Sequence, residues 1–146
     1  MVSTSSTTVI PSAVEVVWAS LARFEDISRW GRGVDQSSAL TQAASGPGAT
    51  RRVQVGRNAL RETITVWEPP HRLGYTIMGL PQVVREASNT WVLVAEGGAT
   101  RVTLTTEVHT KGGPVLSHLV ARKLGRAGEQ LLAGLYDHHV TEGTSA

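Results

Sequence analysis

With 146 residues, 40% of them hydrophobic and 18% charged, the chain is long enough for one domain with a real core, and nothing in its composition suggests a disordered or fibrous protein. The formal net charge is only +2, and the basic residues are scattered arginines plus Lys111 and Lys123, so no basic run with interleaved aromatics points to nucleic acid. Cysteine is absent, which excludes disulfides, a thiol nucleophile and thiolate metal sites, and fits a reducing cytoplasm.

Apolar runs are too short for a membrane span, so no stable membrane insertion is expected. The polar start from Met1 to Thr8 does not read as a secretory signal. A single domain over 1–146 is expected, with an ordered core of about 5–140 and frayed ends, including 141–146.

Taken in order, residues 3–10 are β-branched and Thr-rich, a strand. Ser12 and Glu15 have the spacing of a capping box, and Val14, Val17, Trp18 and Leu21 form the inner face of the helix it opens. Residues 24–30 continue as a second short helix or turn, stopped by Gly31 and Gly33. Strands follow at 34–41, 50–55, 59–67, 72–78, 84–94 and 100–110, joined by short turns rich in Gly, Pro, Asn and Glu. Short turns between consecutive strands imply an antiparallel meander. The last element is a long helix over 114–139, after Gly112 and Gly113. Its stripe reads Leu116, Val120, Leu124, Ala127, Leu131 and Leu135, at steps of three and four. Gly125, Gly128 and Gly134 leave thin places where a sheet could approach or a cavity open. The expected architecture is α+β: about seven antiparallel strands against the long helix, with two short helices after the first strand.

Period-two alternation gives the face that meets the helix. Pairing across the turns sets Val55 against Asn58 and Arg51 against Glu62. It continues with Glu62 beside Ile77 and Ile77 beside Arg85. It sets Trp91 beside Leu104 and Asn89 beside Thr106. Leu60, Ile64 and Val66 are expected on the face of Glu62. One end of this apolar face then carries Arg51, Glu62 and Arg85, with Tyr75 and Asn89 nearer its middle. A carboxylate between two guanidiniums in a cleft can orient a ligand carbonyl or phenolate; the same three residues can equally form a structural ion-pair network. Tyr75 and Asn89 offer hydrogen bonds to a ligand oxygen or, alternatively, to water and backbone. The expected ligand-binding set is Trp30, Arg51, Leu60, Glu62, Ile64, Tyr75, Ile77, Arg85, Asn89, Trp91, Leu104, Leu124 and Gly128. In it Trp30 is a candidate lid, Leu80 and Pro81 a second gate, and Arg85 a ligand contact at the cavity mouth held by Glu62. The five histidines do not have metal-ligand spacing, and no metal or other cofactor is expected.

Three local patterns carry a family resemblance. They are Val17-Trp18-Ala19-Ser20-Leu21 with Ile27-Ser28-Arg29-Trp30, the run 65–75 (Thr-Val-Trp-Glu-Pro-Pro-His-Arg-Leu-Gly-Tyr), and Asn89-Thr90-Trp91-Val92-Leu93 with Thr100-Arg101-Val102-Thr103-Leu104. With the order of elements, they resemble the helix-grip fold of the START-like (SRPBCC) superfamily, in its polyketide cyclase/dehydrase and lipid-transport branch. The resemblance covers roughly residues 5–140. It implies a curved antiparallel sheet gripping the long helix, with a cavity between them for an apolar ligand. It transfers no catalytic residue. Three functions are compatible with the resemblance: a carrier or sensor of a lipid, polyketide or isoprenoid-like molecule; a polyketide cyclase, aromatase or dehydratase using the same cavity; and a protein-interaction module with a collapsed cavity. The expected partner is a small apolar or polyketide-like molecule, and the chain is a monomer or homodimer.

Overall fold

The computed structural model describes residues 1–144. The elements are β1 (Val2–Ile10), α1 (Val14–Ala22), a 3₁₀ helix (Phe24–Arg29), β2 (Gln36–Ala39), β3 (Thr50–Val55), β4 (Asn58–Glu68), β5 (Arg72–Met78), β6 (Val84–Glu96), β7 (Ala99–Thr110) and α2 (Pro114–Thr144). The strands form one antiparallel sheet in the order β1-β7-β6-β5-β4-β3-β2. The chain therefore lays down one edge first, crosses over through the short helices to β2 at the other edge, and walks back strand by strand to β1. This is the α+β helix-grip fold.

The register follows the alternation almost throughout. Val55 pairs with Asn58 and Arg51 with Glu62. Glu62 pairs with Ile77, and Trp91 with Leu104 and Asn89 with Thr106. Strands β3 to β7 turn most of their larger apolar side chains to the helix side. On the opposite face of β1 and β7, hydroxyls pair across the strands, Ser5 with Thr105 at 2.8 Å and Thr7 with Thr103 at 3.1 Å. An antiparallel sheet with one wet face needs this division.

Two β-bulges interrupt the alternation, and each reverses an expectation. Between Ile64 and Val66 the pairing to β5 shifts by a residue, so Trp67 faces Leu73 while Val66 faces Gly74. Trp67 rather than Val66 consequently points to the core, where its ring meets Trp18 edge-on at 5.2 Å. The second bulge falls between Val84 and Glu86. Since Tyr75 pairs with Asn89 and Thr76 with Ser88, the row beside Ile77 belongs to Ala87, which is buried. Arg85 is the extra residue at the bulge and is exposed. Its expected place on the inner face is thus wrong, because a bulge inserts one residue and breaks the period of two.

Smaller corrections have local causes. Ser12 does not cap α1. Its amide donates to the Ile10 carbonyl at 2.8 Å and its carbonyl accepts from Thr100 Oγ1 at 2.7 Å, so the N-cap falls on Ala13, without a side-chain bond. The strand expected at 34–41 shrinks to β2. Strand β1 starts at Val2 and α2 runs to Thr144; residues 145–146 of the expected frayed tail lie outside the described residues.

The face α2 presents to the sheet is also rotated from the large-residue stripe. Ser117, Ala121, Gly125, Gly128, Leu132, Leu135 and His139 are buried, while Leu116, Val120, Leu124 and Leu131 are half-buried and Ala127 is exposed. Small residues lie where the helix comes closest. A Cβ on Gly125 would stand 2.9 Å from Thr4 Cγ2, and one on Gly128 would stand 3.3 Å from Leu104 Cδ2. Leu132 and Leu135 complete the core beyond them.

Candidate functional site

The strands place a short ladder of polar side chains on an otherwise apolar inner face. Arg51 and Glu62 are cross-strand neighbours and both are buried. Arg51 Nε donates to Glu62 Oε1 at 2.8 Å and Nη1 donates to the Phe24 carbonyl at 2.7 Å. Nη2 also lies 2.7 Å from Glu62 Oε1, but it is not aligned for a hydrogen bond. The guanidinium packs against the rings of Phe24, at 3.7 Å, and Tyr75, at 4.7 Å, which meet each other edge-on at 5.5 Å. A buried cation needs such company, since desolvating a charge is expensive. Both contacts to Glu62 fall on Oε1, which leaves Oε2 with an open lone-pair side.

The second group is Tyr75, Asn89, Trp91 and Thr106. Asn89 Nδ2 and Trp91 Nε1 donate to the Tyr75 hydroxyl at 3.3 and 3.2 Å, and Thr106 Oγ1 donates to Asn89 Oδ1 at 2.7 Å. Burial pushes the Tyr75 phenol above its ordinary value of 10.0, and the nearby Glu62 carboxylate adds to this. The Arg51 charge and the hydrogen bonds from Trp91 and Asn89 pull the other way without overcoming it. Tyr75 is therefore a neutral phenol at physiological pH.

Between the sheet and α2 lies a pocket of about 170 Å³. Apolar walls come from Val53, Leu60 and Ile77 on the sheet and Leu124 and Leu131 on α2, with Gly128 between the latter two. Glu62, Asn89 and Thr106 form its polar side. Arg32 and Gln130 stand at its mouth with Leu80, and Arg32 pairs with Asp137 of α2. Among the residues lining it, Glu62 and Arg32 are the titratable ones.

The expected site divides accordingly. Leu60, Glu62, Ile77, Asn89, Leu124 and Gly128 line the pocket. Arg51, Ile64, Tyr75, Trp91 and Leu104 are buried behind it and hold the lining in place. Trp30 is not a lid: it is buried against Trp91, with ring centroids 5.8 Å apart, and its indole nitrogen has no partner among the described residues. It borders a separate, solvent-open groove between α1 and the end of α2, where Ser20 Oγ lies 2.9 Å from His139 Nε2. Arg85 lines neither and is exposed at the β6 bulge. Of the second gate, Leu80 lines the pocket while Pro81 is exposed and does not. Thr106 and Val53 are legible in the register as residues of the inner face; Arg32 carries no sequence signal, because its loop has no periodicity.

Fold and pocket define a helix-grip domain with an internal, mostly apolar site. The chain belongs to the family described as polyketide cyclase/dehydrase and lipid transport, whose model matches residues 1–139. No curated protein matches it in sequence. Among solved structures it is similar to an aromatase/cyclase, Zhui, from Streptomyces sp. R1128, with 15% identity and a TM-score of 0.78, covering 94% of this chain and 93% of that one. It is likewise similar to a START superfamily protein from Mycobacterium smegmatis, with 15% identity and a TM-score of 0.79 over 95% of this chain and 97% of that one. A protein from Thermobifida fusca reaches 19% identity and a TM-score of 0.82, covering 95% and 93%. These likenesses show the fold. No helix among the described residues is long and apolar enough to cross a membrane.

Proposed function

We propose that this protein binds a small apolar molecule carrying an oxygen function, in the pocket between the sheet and α2, as a carrier or sensor. The observation that carries the reading is the pocket itself: apolar walls closed by α2, ending on Glu62 and Asn89. Sites of this kind bind through burial and are oriented by a few placed polar groups. Membership in a family described by lipid transport as well as by cyclisation agrees with it.

A second reading, a polyketide cyclase or dehydratase, draws on one feature. Glu62 Oε2 is a carboxylate oxygen with no bond from Arg51, in a site where it could take a proton from carbon next to a carbonyl. Water loss also needs an acid beside the leaving hydroxyl. Tyr75 is the nearest neutral acid, but it stands behind the pocket wall, and the lining offers Arg32 only at the mouth. Carriage is therefore favoured over chemistry. Mass spectrometry of the protein kept native through purification tests this: a co-purifying apolar molecule is expected, unchanged after prolonged incubation. Release of a cyclised or dehydrated product would favour the enzyme, and a chain that neither carries nor takes up any apolar molecule would sink both.

A further inference from the structure

We infer that the pocket takes a single-ring, uncharged hydroxylated molecule, a phenol or ring alcohol, rather than an extended lipid or a multi-ring chain; the inference rests on the ligand-binding reading above and narrows it. Size comes first. The pocket measures about 170 Å³, and an apolar cavity of roughly 150 Å³ is known to hold one benzene. Pockets for larger ligands run from about 300 Å³ upward. The walls are also not easily pushed back. Behind them Trp91 packs on Trp30 at 5.8 Å and Tyr75 on Phe24 at 5.5 Å, both edge-to-face. On the helix side Gly125 and Gly128 already bring α2 to within a methyl group of Thr4 and Leu104. Enlarging the pocket means moving the helix or repacking close-packed rings, and packed interiors resist both.

The polar side decides the chemistry. Glu62 presents an acceptor through Oε2. Asn89 Nδ2 spends one hydrogen on Tyr75 and keeps the second, and its Oδ1 is taken by Thr106. The site thus offers one strong acceptor and one donor, the complement of a hydroxyl, which gives one hydrogen and accepts one. A carbonyl can only accept and leaves the carboxylate unmatched. A carboxylate ligand meets Glu62 with like charge. The compensating cation, Arg51, is buried against Phe24 and Tyr75 and does not line the pocket, and Arg32 at the mouth is engaged by Asp137. A hydrogen bond from a phenol to a carboxylate is charge-assisted and among the strong ones.

Calorimetric and amide-shift NMR titrations with p-cresol, toluene, benzoate, 1-anthrol and palmitate test the idea on the whole chain. Binding of p-cresol is expected, with toluene at least about tenfold weaker, as for loss of one hydrogen bond to a charged group, and with no saturable binding of the other three. Glu62→Gln should remove most of the p-cresol advantage over toluene. Because that variant disturbs the Arg51 pair and can fail to fold, Leu60→Phe serves as the second variant: it fills the pocket from the partly exposed end of β4 and should abolish binding of p-cresol and toluene alike. Equal affinity for p-cresol and toluene would overturn the hydroxyl assignment, and p-cresol binding untouched by Leu60→Phe would overturn the site. If 1-anthrol or palmitate binds and is lost in Leu60→Phe while p-cresol does not bind, ligand binding in the pocket stands and the single-ring inference falls. If none of the five binds, both fall.

Discussion

Arg51 and Glu62, neighbours across β3 and β4, are joined inside the protein by a 2.8 Å hydrogen bond, with the guanidinium packed against the rings of Phe24 and Tyr75. The pair ties the 3₁₀ helix to the sheet, because Arg51 Nη1 also donates to the Phe24 carbonyl. It also fixes the position of the carboxylate that borders the pocket. Removing one member of a buried pair strands the other, at a cost of about 3–5 kcal/mol, whereas replacing both by apolar groups can be nearly neutral. Arg51→Met is therefore expected to lower the unfolding free energy by about 3 kcal/mol, at the low end because Glu62 touches the pocket. The double variant Arg51→Met/Glu62→Met should recover most of the loss. Urea unfolding with an unchanged m-value checks both, and a double variant as unstable as the single would show that the pair is worth more than its burial costs.

Tyr75 gives a pH-dependent prediction. Burial raises its pKa in the folded protein above the ordinary 10.0. The contribution of the neutral phenol is then fully present below pH 10 and lost as the pH climbs through the folded value. Stability of the wild type should fall on the alkaline side by up to about 1.4 kcal/mol per pH unit from this group. Tyr75→Phe lacks that component, so the difference between the two curves should shrink as pH rises above 10. A difference flat from pH 8 to 11 would contradict the assignment.

At neutral pH the same Tyr75→Phe change removes the acceptor shared by Asn89 Nδ2 and Trp91 Nε1, both buried. Leaving buried donors unmatched costs about 1–3 kcal/mol, which thermal or urea unfolding will read. A change below a few tenths would mean that water or a side-chain turn satisfies both donors.

Arg85 makes a contrasting case. Exposed at the β6 bulge, it has no part in the Arg51–Glu62 pair. Arg85→Met should change stability by no more than about 0.5 kcal/mol, in the usual range for surface positions, and leave p-cresol affinity as it was. A loss like that of Arg51→Met would restore Arg85 to the interior.

Gly134 is the point where α2 meets the loop after the 3₁₀ helix. A Cβ there would collide with the Trp30 carbonyl oxygen and come within 3.0 Å of the Arg32 amide nitrogen, both backbone atoms that cannot swing aside. Gly→Ala inside a helix normally gains about 1 kcal/mol. Here Gly134→Ala is expected to cost about 1–3 kcal/mol, as overpacking does. Gly125→Ala, which meets only the Thr4 side chain, should be milder, and thermal melts of the two variants side by side will tell.

The element order, most of the antiparallel register and most of the buried rows of the sheet were legible from the chain alone, because strand alternation and turn residues are local signals that each strand carries in its own few residues. Arg51 opposite Glu62 and Asn89 opposite Thr106 follow from counting back from the turns. What the tertiary structure decided lies where local period and global packing part company. A bulge adds a residue at no cost in composition, and so it sent Arg85 outward and brought Trp67 inward. In its first half the helix turned Ser117, Ala121 and Gly125 to the sheet and left Leu116, Val120 and Leu124 half-buried, because close approach selects small side chains over hydrophobic bulk. Which of the inner-face residues border empty space depended on how far α2 settles onto the sheet: Leu60, Glu62 and Asn89 were left at the pocket, while Tyr75, Trp91 and Arg51 were sealed behind it. That is a property of how the volumes of many side chains sum across two elements, and no single stretch of sequence carries it.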